Sequence, residues 1–384
     1  MNRIKTLIVA FLLQSSLAFA CTSFQVQAQD GTRLYCRSME FSFAFDSNLL
    51  VVPRGMPFVG TAPEGKPGAQ WTTKYGYVGM NVALAPTLVA DGMNEKGLVA
   101  GTLYLPQYAK FQNTTPAEYN RTIGAWEVCS YLLGTCATVS EAKEAIKKII
   151  VANEPLPTTD NFIIPLHFTI QDATGACAII EYVKGKRTIY NNSLGVLTNS
   201  PPFDWHLMNL SNYVKLSPEN TQTLKLGKYT ISNPSQGTGL LGIPGDFSPV
   251  SRFIRATFFA HIAEKPNTAD ELVNLGFHIL NTFDIFNGAI HEAPQAAPTS
   301  PVTNASSLLN PSDTTQWVIA HDMNNLNSYF RTYEDLRIKK VDLKKLNFDA
   351  KDYMVIKVDT KIVFDEVTNH VLSLDKKENI ITAK

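Results

Sequence analysis

Residues 21–40 read CTSFQVQAQDGTRLYCRSME, and the rest of the chain is organised around them. Residues 22–28 alternate and favour β-structure, Gln29-Asp30-Gly31 has the composition of a turn, and residues 32–37 return as a second strand. This pattern predicts a β-hairpin. Antiparallel strands of near-equal length bring their outer ends together, so the hairpin places Arg37 beside the beginning of the first strand. Spacing alone nevertheless favours a solvated arginine at a strand end.

The segment before Cys21 has the three parts of a secretory signal peptide. It has a basic start, an apolar core at residues 7–13 and the small-x-small sequence Ala18-Phe19-Ala20. It is too short to cross a membrane, and no second apolar segment follows, so we expect no membrane span. We expect residues 1–20 to be removed and the mature chain, residues 21–384, to be a periplasmic or secreted bacterial protein.

Cleavage after Ala20 leaves Cys21 with a free α-amine and a thiol on one residue. The unperturbed α-amine has a pKa of roughly 7.7–8.0, so near neutral pH it can act as a base toward its own side chain. Processing alone then creates a nucleophile. A lipoprotein leader also ends before a cysteine, which is then acylated; such leaders prefer leucine where Ala18 stands, and Phe19 is bulky. A lipid-anchored, non-catalytic envelope protein acylated at Cys21 stays an alternative.

The charges of the 384 residues balance, with 34 lysines and arginines against 34 aspartates and glutamates. A chain with balanced charge and no basic runs does not have the charge pattern of a protein that binds nucleic acid or an anionic membrane surface. Its apolar content is ample for a sizeable core. No boundary separates two cores, so residues 21–384 are predicted to form one domain.

Cysteines and histidines give no sign of a metal centre. No two of the seven histidines have ligand spacing, and Cys-x-x-Cys is absent, so we expect no metal and no cofactor. The histidines are predicted to be surface or packed residues. Apart from Cys21 the cysteines are Cys36, Cys129, Cys136 and Cys177. Cys129 and Cys136 are close enough in sequence to pair, but buried thiols are the favoured interpretation for all four.

Strand and helix patterns alternate along the chain. The predicted strands are 48–52, 75–85, 97–105, two around the turn 172–175 within 167–190, 316–320, 328–332 and 337–341, with an edge strand in the tail 346–384. Five helices are predicted. The first two are 116–133 and 140–151, the second with Ser140 as N-cap. A third follows Pro201-Pro202, a fourth follows the loop 236–249 and extends to residue 263, and the fifth is 268–283 with a Thr268/Glu271 capping box. Residues 91–97 are predicted to be a structural turn and 293–305 a linker. Stacked sheets and helices in one domain fit this order.

Several blocks in this order resemble the choloylglycine hydrolase family, which are N-terminal-nucleophile amidases that include bile salt hydrolases and penicillin V acylases. The blocks are Cys21-Thr22, Cys36-Arg37-Ser38-Met39-Glu40, Asp91-Gly92-Met93-Asn94-Glu95-Lys96-Gly97-Leu98, Leu197-Thr198-Asn199-Ser200-Pro201, Ser251-Arg252-Phe253-Ile254-Arg255 and residues 316–342. The resemblance covers nearly the whole mature chain. It implies an α+β fold, the four-layer αββα sandwich, and hydrolysis of a linear carboxamide C–N bond.

The resemblance also implies roles for five residues. Cys21 matches the nucleophile, and Arg37 matches the arginine beside it. Glu40 stands where the family usually has an aspartate that engages the terminal amine, which keeps the charge and adds a methylene. Asn199 matches the oxyanion-hole asparagine, and Arg252 matches the second active-site arginine. Two nearby arginines are expected to favour the thiolate of the cysteine.

Substrate choice is expected to depend on an apolar acyl pocket lined by Phe41, Tyr104 and Trp205. Tyr104 stands where bile salt hydrolases tend to have Asn and penicillin V acylases Tyr, which favours aryl- or alkyl-acyl amides. Penicillin V and N-acyl-homoserine lactones are therefore the expected substrates, with bile salts as the alternative. The partner is a small-molecule amide, and the resemblance implies a homotetramer.

Overall fold

Two antiparallel sheets form the centre of the computed structural model, which describes residues 20–42, 44–82, 85–156, 162–291, 312–359 and 361–368. The five-stranded sheet has the order β1 (Cys21–Gln27), β2 (Arg33–Phe41), β16 (Thr314–Asp322), β17 (Asn327–Thr332) and β18 (Lys339–Asp342). The eight-stranded sheet has the order β13 (Lys186–Asn191), β12 (Cys177–Val183), β11 (Leu166–Gln171), β8 (Val99–Tyr104), β7 (Ala85–Asn94), β6 (Tyr77–Val82), β3 (Leu49–Val52) and β19 (Met354–Ile356).

Helices cover the outer face of each sheet. α1 (Val128–Thr135) and α2 (Val139–Lys148) pack on the eight-stranded sheet, whereas α4 (Pro249–Ile262) and α5 (Ala269–Leu280) pack on the five-stranded sheet. The short helix α3 (Phe203–Asn209) follows the Pro201-Pro202 pair, as predicted. The layers are thus helix, sheet, sheet, helix, which confirms the αββα sandwich.

The strand β3 shows how the sandwich divides its core. Leu49 and Val51 face the space between the two sheets, where they join a cluster that includes Trp317 and Ile319. Leu50 and Val52 point to the opposite face and join the cluster beneath α1 and α2. Because successive side chains of a strand point to opposite faces, a strand that is covered on both sides is apolar at every position.

The first hairpin forms as the sequence predicts. Strands β1 and β2 pair with Cys21 opposite Met39 and Ser23 opposite Arg37. At the turn, the amide of Thr32 donates to Oδ1 of Asp30 at 2.8 Å. The remaining strands of the five-stranded sheet, the capping box of α5 and the tail strand β19 also confirm their predictions.

The predicted helix 116–133 is wrong. That stretch forms a 3₁₀ turn (Pro116–Arg121), the strand β9 (Thr122–Gly124), a second 3₁₀ turn (Ala125–Glu127) and only then α1. Thr122 and Ile123 are β-branched, which favours a strand, and β9 pairs in parallel with β10 (Ile150–Ala152). These residues therefore form a strand in spite of the helical pattern.

Two further expectations need correction, and two hairpins of the structure have no counterpart among the predictions. Thr138, not Ser140, caps α2, since its side chain accepts from the amide of Glu141. The predicted turn at 91–97 is shorter, because β7 continues to Asn94 and includes Asp91. Two hairpins were not predicted: β4 (Pro57–Ala62) with β5 (Lys66–Thr72), and β14 (Leu224–Leu226) with β15 (Tyr229–Ile231). The expected linker at 293–305 lies outside the described residues.

The cysteines are free and buried: Cys21, Cys36, Cys129, Cys136 and Cys177. Cys129 and Cys136 are therefore not joined in this structure. None of the helices in the described ranges combines the length and apolar character that a membrane crossing requires.

Candidate active site

Cys21 is the first residue of β1, an edge strand of the five-stranded sheet. Its side chain is only 2% exposed. The sulfur lies 3.8 Å from Nη2 of Arg37 and 3.7 Å from Sδ of Met39, both on the neighbouring strand β2. The hairpin therefore places a guanidinium against the thiol, at the position where the sequence predicts a nucleophile.

Arg37 is completely buried, so the solvated arginine that spacing alone favours is wrong. Its Nη1 donates to the carbonyl of Ala90 at 2.9 Å, and its Nη2 donates to the carbonyl of Thr102. These contacts leave the guanidinium between β7 and β8 on one side and Cys21 on the other. Facing strands of both sheets thus fix its position.

Asp91 compensates the charge of Arg37. Its Oδ2 lies 3.0 Å from Nη1 of Arg37 and accepts a hydrogen bond of 2.7 Å from the hydroxyl of Tyr35. Its Oδ1 lies 3.1 Å from Nε2 of His321, whose Nδ1 is 2.8 Å from the hydroxyl of Ser328. The sequence pattern placed Asp91 in a structural turn, so this partner was missed.

Gly101 on β8 makes room for this buried group of charges. A Cβ atom at position 101 would lie 2.5 Å from Oδ2 of Asp91 and 2.7 Å from the hydroxyl of Tyr35. Real Cβ atoms do not approach oxygen so closely, and both oxygens are held by hydrogen bonds. The close approach of β8 to the ion pair therefore requires glycine.

Asn199 reaches the site from a segment that pairs with β1. The amide of Ser23 donates to the carbonyl of Leu197 at 2.8 Å, and the reverse bond measures 3.0 Å. Two residues later, Oδ1 of Asn199 accepts from the nitrogen of Cys21 at 2.8 Å, while Nδ2 donates to the carbonyl of Tyr104 at 2.8 Å. The structure thus brings Asn199 against the residue that the sequence predicts as nucleophile.

Arg252 lies in the first turn of α4, whose N-cap is Ser248. Its Nη2 donates to Oδ1 of Asn199 at 2.7 Å. Its Nη1 donates to the carbonyl of Cys21 and, at 2.8 Å, to the hydroxyl of Thr22. One guanidinium therefore orients the asparagine amide and holds the first peptide unit of β1.

Glu40 is buried near Cys21, but the hydrogen bond of the Cys21 nitrogen goes to Asn199. One oxygen, Oε1, is 3.4 Å from the hydroxyl of Thr315, and the other has no hydrogen-bond partner among the described residues. Burial raises the pKa of Glu40 to about 8, against the opposing charge of Arg252. The backbone amide of Glu40 donates to the carbonyl of Ala20 at 2.9 Å.

Burial raises the pKa of the Cys21 thiol in this chain, which still carries Ala20. Arg37 and Arg252 act in the opposite direction, and the charge of Glu40 adds to the effect of burial. The two arginines thus lower the pKa of the thiol, as the sequence predicts, but desolvation outweighs them here.

The three predicted substrate-binding residues occupy different surroundings. Tyr104 ends β8, is buried and contributes its carbonyl to Asn199. Phe41 ends β2, and its ring centroid lies 4.1 Å from that of Phe45. Trp205 is 40% exposed on α3 and meets His206 edge-on. Within the described part of the chain, no group of three His, Cys, Asp or Glu side chains could hold a metal.

An antiparallel αββα sandwich with a cysteine at the head of an edge strand has the architecture of the N-terminal-nucleophile hydrolases. The chain belongs to the choloylglycine hydrolase family of linear amide C–N hydrolases, because the model of that family matches residues 21–356. It is therefore an amidohydrolase that acts on linear amides.

The similar proteins include both bile salt hydrolases and a penicillin V acylase. The chain is 32% identical to a bile salt hydrolase/transferase from Clostridium perfringens, over 90% of this chain and 99% of the relative. It is 28% identical to a penicillin V acylase from Pectobacterium atrosepticum, over 92% and 88%. A crystal structure of a conjugated bile acid hydrolase variant from Clostridium perfringens superposes with a TM-score of 0.77 at 30% identity, covering 90% of this chain and all of the other.

Proposed function

We propose that removal of residues 1–20 exposes Cys21 as the N-terminal residue and that its thiol is the nucleophile in amide hydrolysis. The observation that carries this proposal is the 3.8 Å distance between Sγ of Cys21 and Nη2 of the buried Arg37. The contact between the Cys21 nitrogen and Asn199 supports it, because the same atom becomes the α-amine after cleavage. The protein then works in the periplasm or outside the cell.

The proposed reaction has two halves. The α-amine takes the thiol proton, and the sulfur attacks the substrate carbonyl to form a tetrahedral intermediate. The amine then returns the proton to the leaving nitrogen, the C–N bond breaks, and a thioester to Cys21 remains. Water, deprotonated by the same amine, hydrolyses the thioester and restores the thiol.

Two side chains support charge during this reaction. Nδ2 of Asn199 has two hydrogens, of which one is donated to the carbonyl of Tyr104 and the other serves the oxyanion. Glu40 has a buried oxygen without a partner, which suits one N–H of the newly formed ammonium group. The usual aspartate role would then be filled by the longer glutamate.

The proposed substrates are amides with an aryl or alkyl acyl group, of the penicillin V kind, and N-acyl-homoserine lactones. Tyr104 supports this choice by its identity, since tyrosine at this position resembles the penicillin V acylases, and its carbonyl accepts from Nδ2 of Asn199. Its side chain belongs to the apolar cluster beneath α1 and α2. Bile conjugates are the second candidate. The 32% identity to a bile salt hydrolase/transferase, against 28% to a penicillin V acylase, favours them.

Two further elements belong to the proposal. The lipid-anchored alternative is disfavoured, because the lipid chains of an anchor have to leave the protein surface and enter a membrane, whereas Cys21 is 2% exposed. We propose a homotetramer, in which the exposed apolar residues Leu224, Leu226, Tyr229 and Ile231 of the β14–β15 hairpin become covered. Light scattering of the purified protein tests the tetramer directly.

N-terminal sequencing and intact mass of the exported protein test the first step, for which we expect an unmodified Cys21. The purified chain is then offered penicillin V, acyl-homoserine lactones and bile conjugates. We expect Cys21→Ser to lose at least about 10³-fold in kcat, while Cys177→Ser, which alters another buried thiol, keeps it. Full hydrolysis by the Cys21→Ser variant, or an acylated first residue, would refute the proposal.

A further inference from the structure

Two buried imidazoles hold the main chain on either side of Asn199. Nε2 of His206 lies 3.0 Å from the carbonyl oxygen of Asn199 itself, and Nε2 of His167 lies 2.9 Å from the carbonyl oxygen of Thr198. Both histidines are 1% exposed or less. Sequence reasoning placed them among ordinary packed or surface histidines, because neither has a partner that is near in sequence.

The surroundings of each ring fix its orientation. The ring of His206, on α3, stacks on Phe253 of α4 with centroids 4.4 Å apart and planes 17° apart. Nδ1 of His167, on β11, lies 3.0 Å from Oε1 of Glu181 on the neighbouring strand β12. The same carboxylate oxygen accepts the amide of Phe203, the first residue of α3, at 3.0 Å.

Carbonyl oxygens only accept hydrogen bonds, so Nε2 of each ring must carry the proton and donate it. The direction of a carbonyl fixes the plane of its peptide unit. Holding the carbonyl of Thr198 sets the plane before Asn199, and holding the carbonyl of Asn199 sets the plane after it. Together the two bonds restrain φ and ψ of Asn199, and with them the direction of its Cα–Cβ bond.

We propose that His167 and His206 are positioning residues that hold the amide of Asn199 at Cys21. This inference rests on the proposed function insofar as Asn199 supports the oxyanion. Arg252 completes the arrangement, since it orients the amide oxygen from α4, the helix against which His206 stacks. A misplacement of about 1 Å can cost about 10²-fold in rate, so two bonds to the main chain can control the chemistry from outside the site.

The test uses paired variants of the mature protein. In His206→Leu and His167→Leu the donor is lost, whereas in His206→Gln and His167→Gln the side-chain amide can still donate to the same carbonyl. His261→Leu is the matched control, because exposed His261 also lies 3.0 Å from a backbone carbonyl, that of Leu194, away from the site. For each variant, kcat and KM are measured separately and the position of Asn199 is determined by crystallography.

We expect each leucine variant to lose about 10²-fold in kcat with KM changed less than threefold, each glutamine variant to recover most of that loss, and the control to match the wild type. Glutamine variants as slow as the leucine variants, or unchanged leucine variants, would overturn the proposal. If the wild type hydrolyses none of the amides, the proposed function is wrong, but the positioning role of the two histidines can still be tested. The crystal structures test that role, since the amide of Asn199 should be displaced in the leucine variants and not in the glutamine variants.

Discussion

Nη1 of Arg37 lies 3.0 Å from Oδ2 of Asp91, and neither side chain has any exposed surface. The ion pair joins the two sheets, because Arg37 belongs to β2 and Asp91 to β7. It also determines which atoms of the guanidinium remain for Cys21, since Nη1 is engaged with Asp91 and Nη2 faces the sulfur. The buried pair thus links the stability of the sandwich to the geometry of the site.

Asp91→Asn should cost about 3–5 kcal/mol in the free energy of unfolding, because removing one partner leaves the other charge buried and uncompensated. Urea denaturation at neutral pH measures this change. Asp349→Asn is the matched control, since it breaks a surface pair with Arg54 in which Asp349 is 80% exposed, and such pairs contribute little. Equal losses in the two variants would contradict the importance of burial.

Arg37→Gln should raise the pKa of the Cys21 thiol further, because Arg37 is the largest influence that lowers it. NMR titration of ¹³C-labelled Cys21 in the mature protein follows this pKa without requiring access of a reagent. Arg33→Gln, on the same strand, removes a guanidinium that contacts Gln25 instead. The titration of the Arg33 variant should match the wild type; an unshifted Arg37 variant would show that the two groups are not coupled.

Asn199→Asp should lower kcat by about 10²–10³-fold, because it replaces the N–H donor by a carboxylate that repels the oxyanion. The remaining oxygen can still accept from Arg252, so the fold is expected to persist. Steady-state kinetics with the best amide substrate measures the effect. Asn192→Asp changes another buried asparagine, which donates to the carbonyl of Val196, and it should lose stability but keep kcat.

Stability should fall as the pH drops from 6.5 toward 4. Burial, with His167 and Arg252 nearby, lowers the pKa of His206 from 6.5 to about 4. Between these values the unfolded chain binds a proton that the folded chain does not, so the contribution is complete above pH 6.5 and declines below it, by about 3 kcal/mol in total. Urea denaturation at pH 7 and 4.5 should show a shallower decline for His206→Gln; identical declines would contradict the assignment.

Local sequence patterns predicted the elements that depend on local interactions. The first hairpin has its own turn, and α5 has its own capping box, so both could be read from a few neighbouring residues. The stretch 116–133 shows the limit of that approach. Thr122 and Ile123 are β-branched, but their partner strand β10 lies 28 positions further along the chain, and so distant a partner leaves no trace in the local pattern.

The candidate site also contains residues that the sequence predicted and residues that it did not. Cys21 was predicted from the leader sequence before it, and Arg37, Asn199 and Arg252 were predicted from the family resemblance. The structure brings the four residues together. Asp91 was missed because its glycine- and asparagine-rich neighbours have the composition of a turn, although β7 continues through it. His167 and His206 were missed because their partners are main-chain carbonyls, which every residue has and no motif records.

Gly101 limits which substitutions β8 can accept when this enzyme is engineered. If β8 is randomised, the functional clones will keep glycine at position 101, since even one added methyl group collides with Asp91 and Tyr35. The other five residues of β8 already have a Cβ atom, so this limit applies to position 101 and not to them.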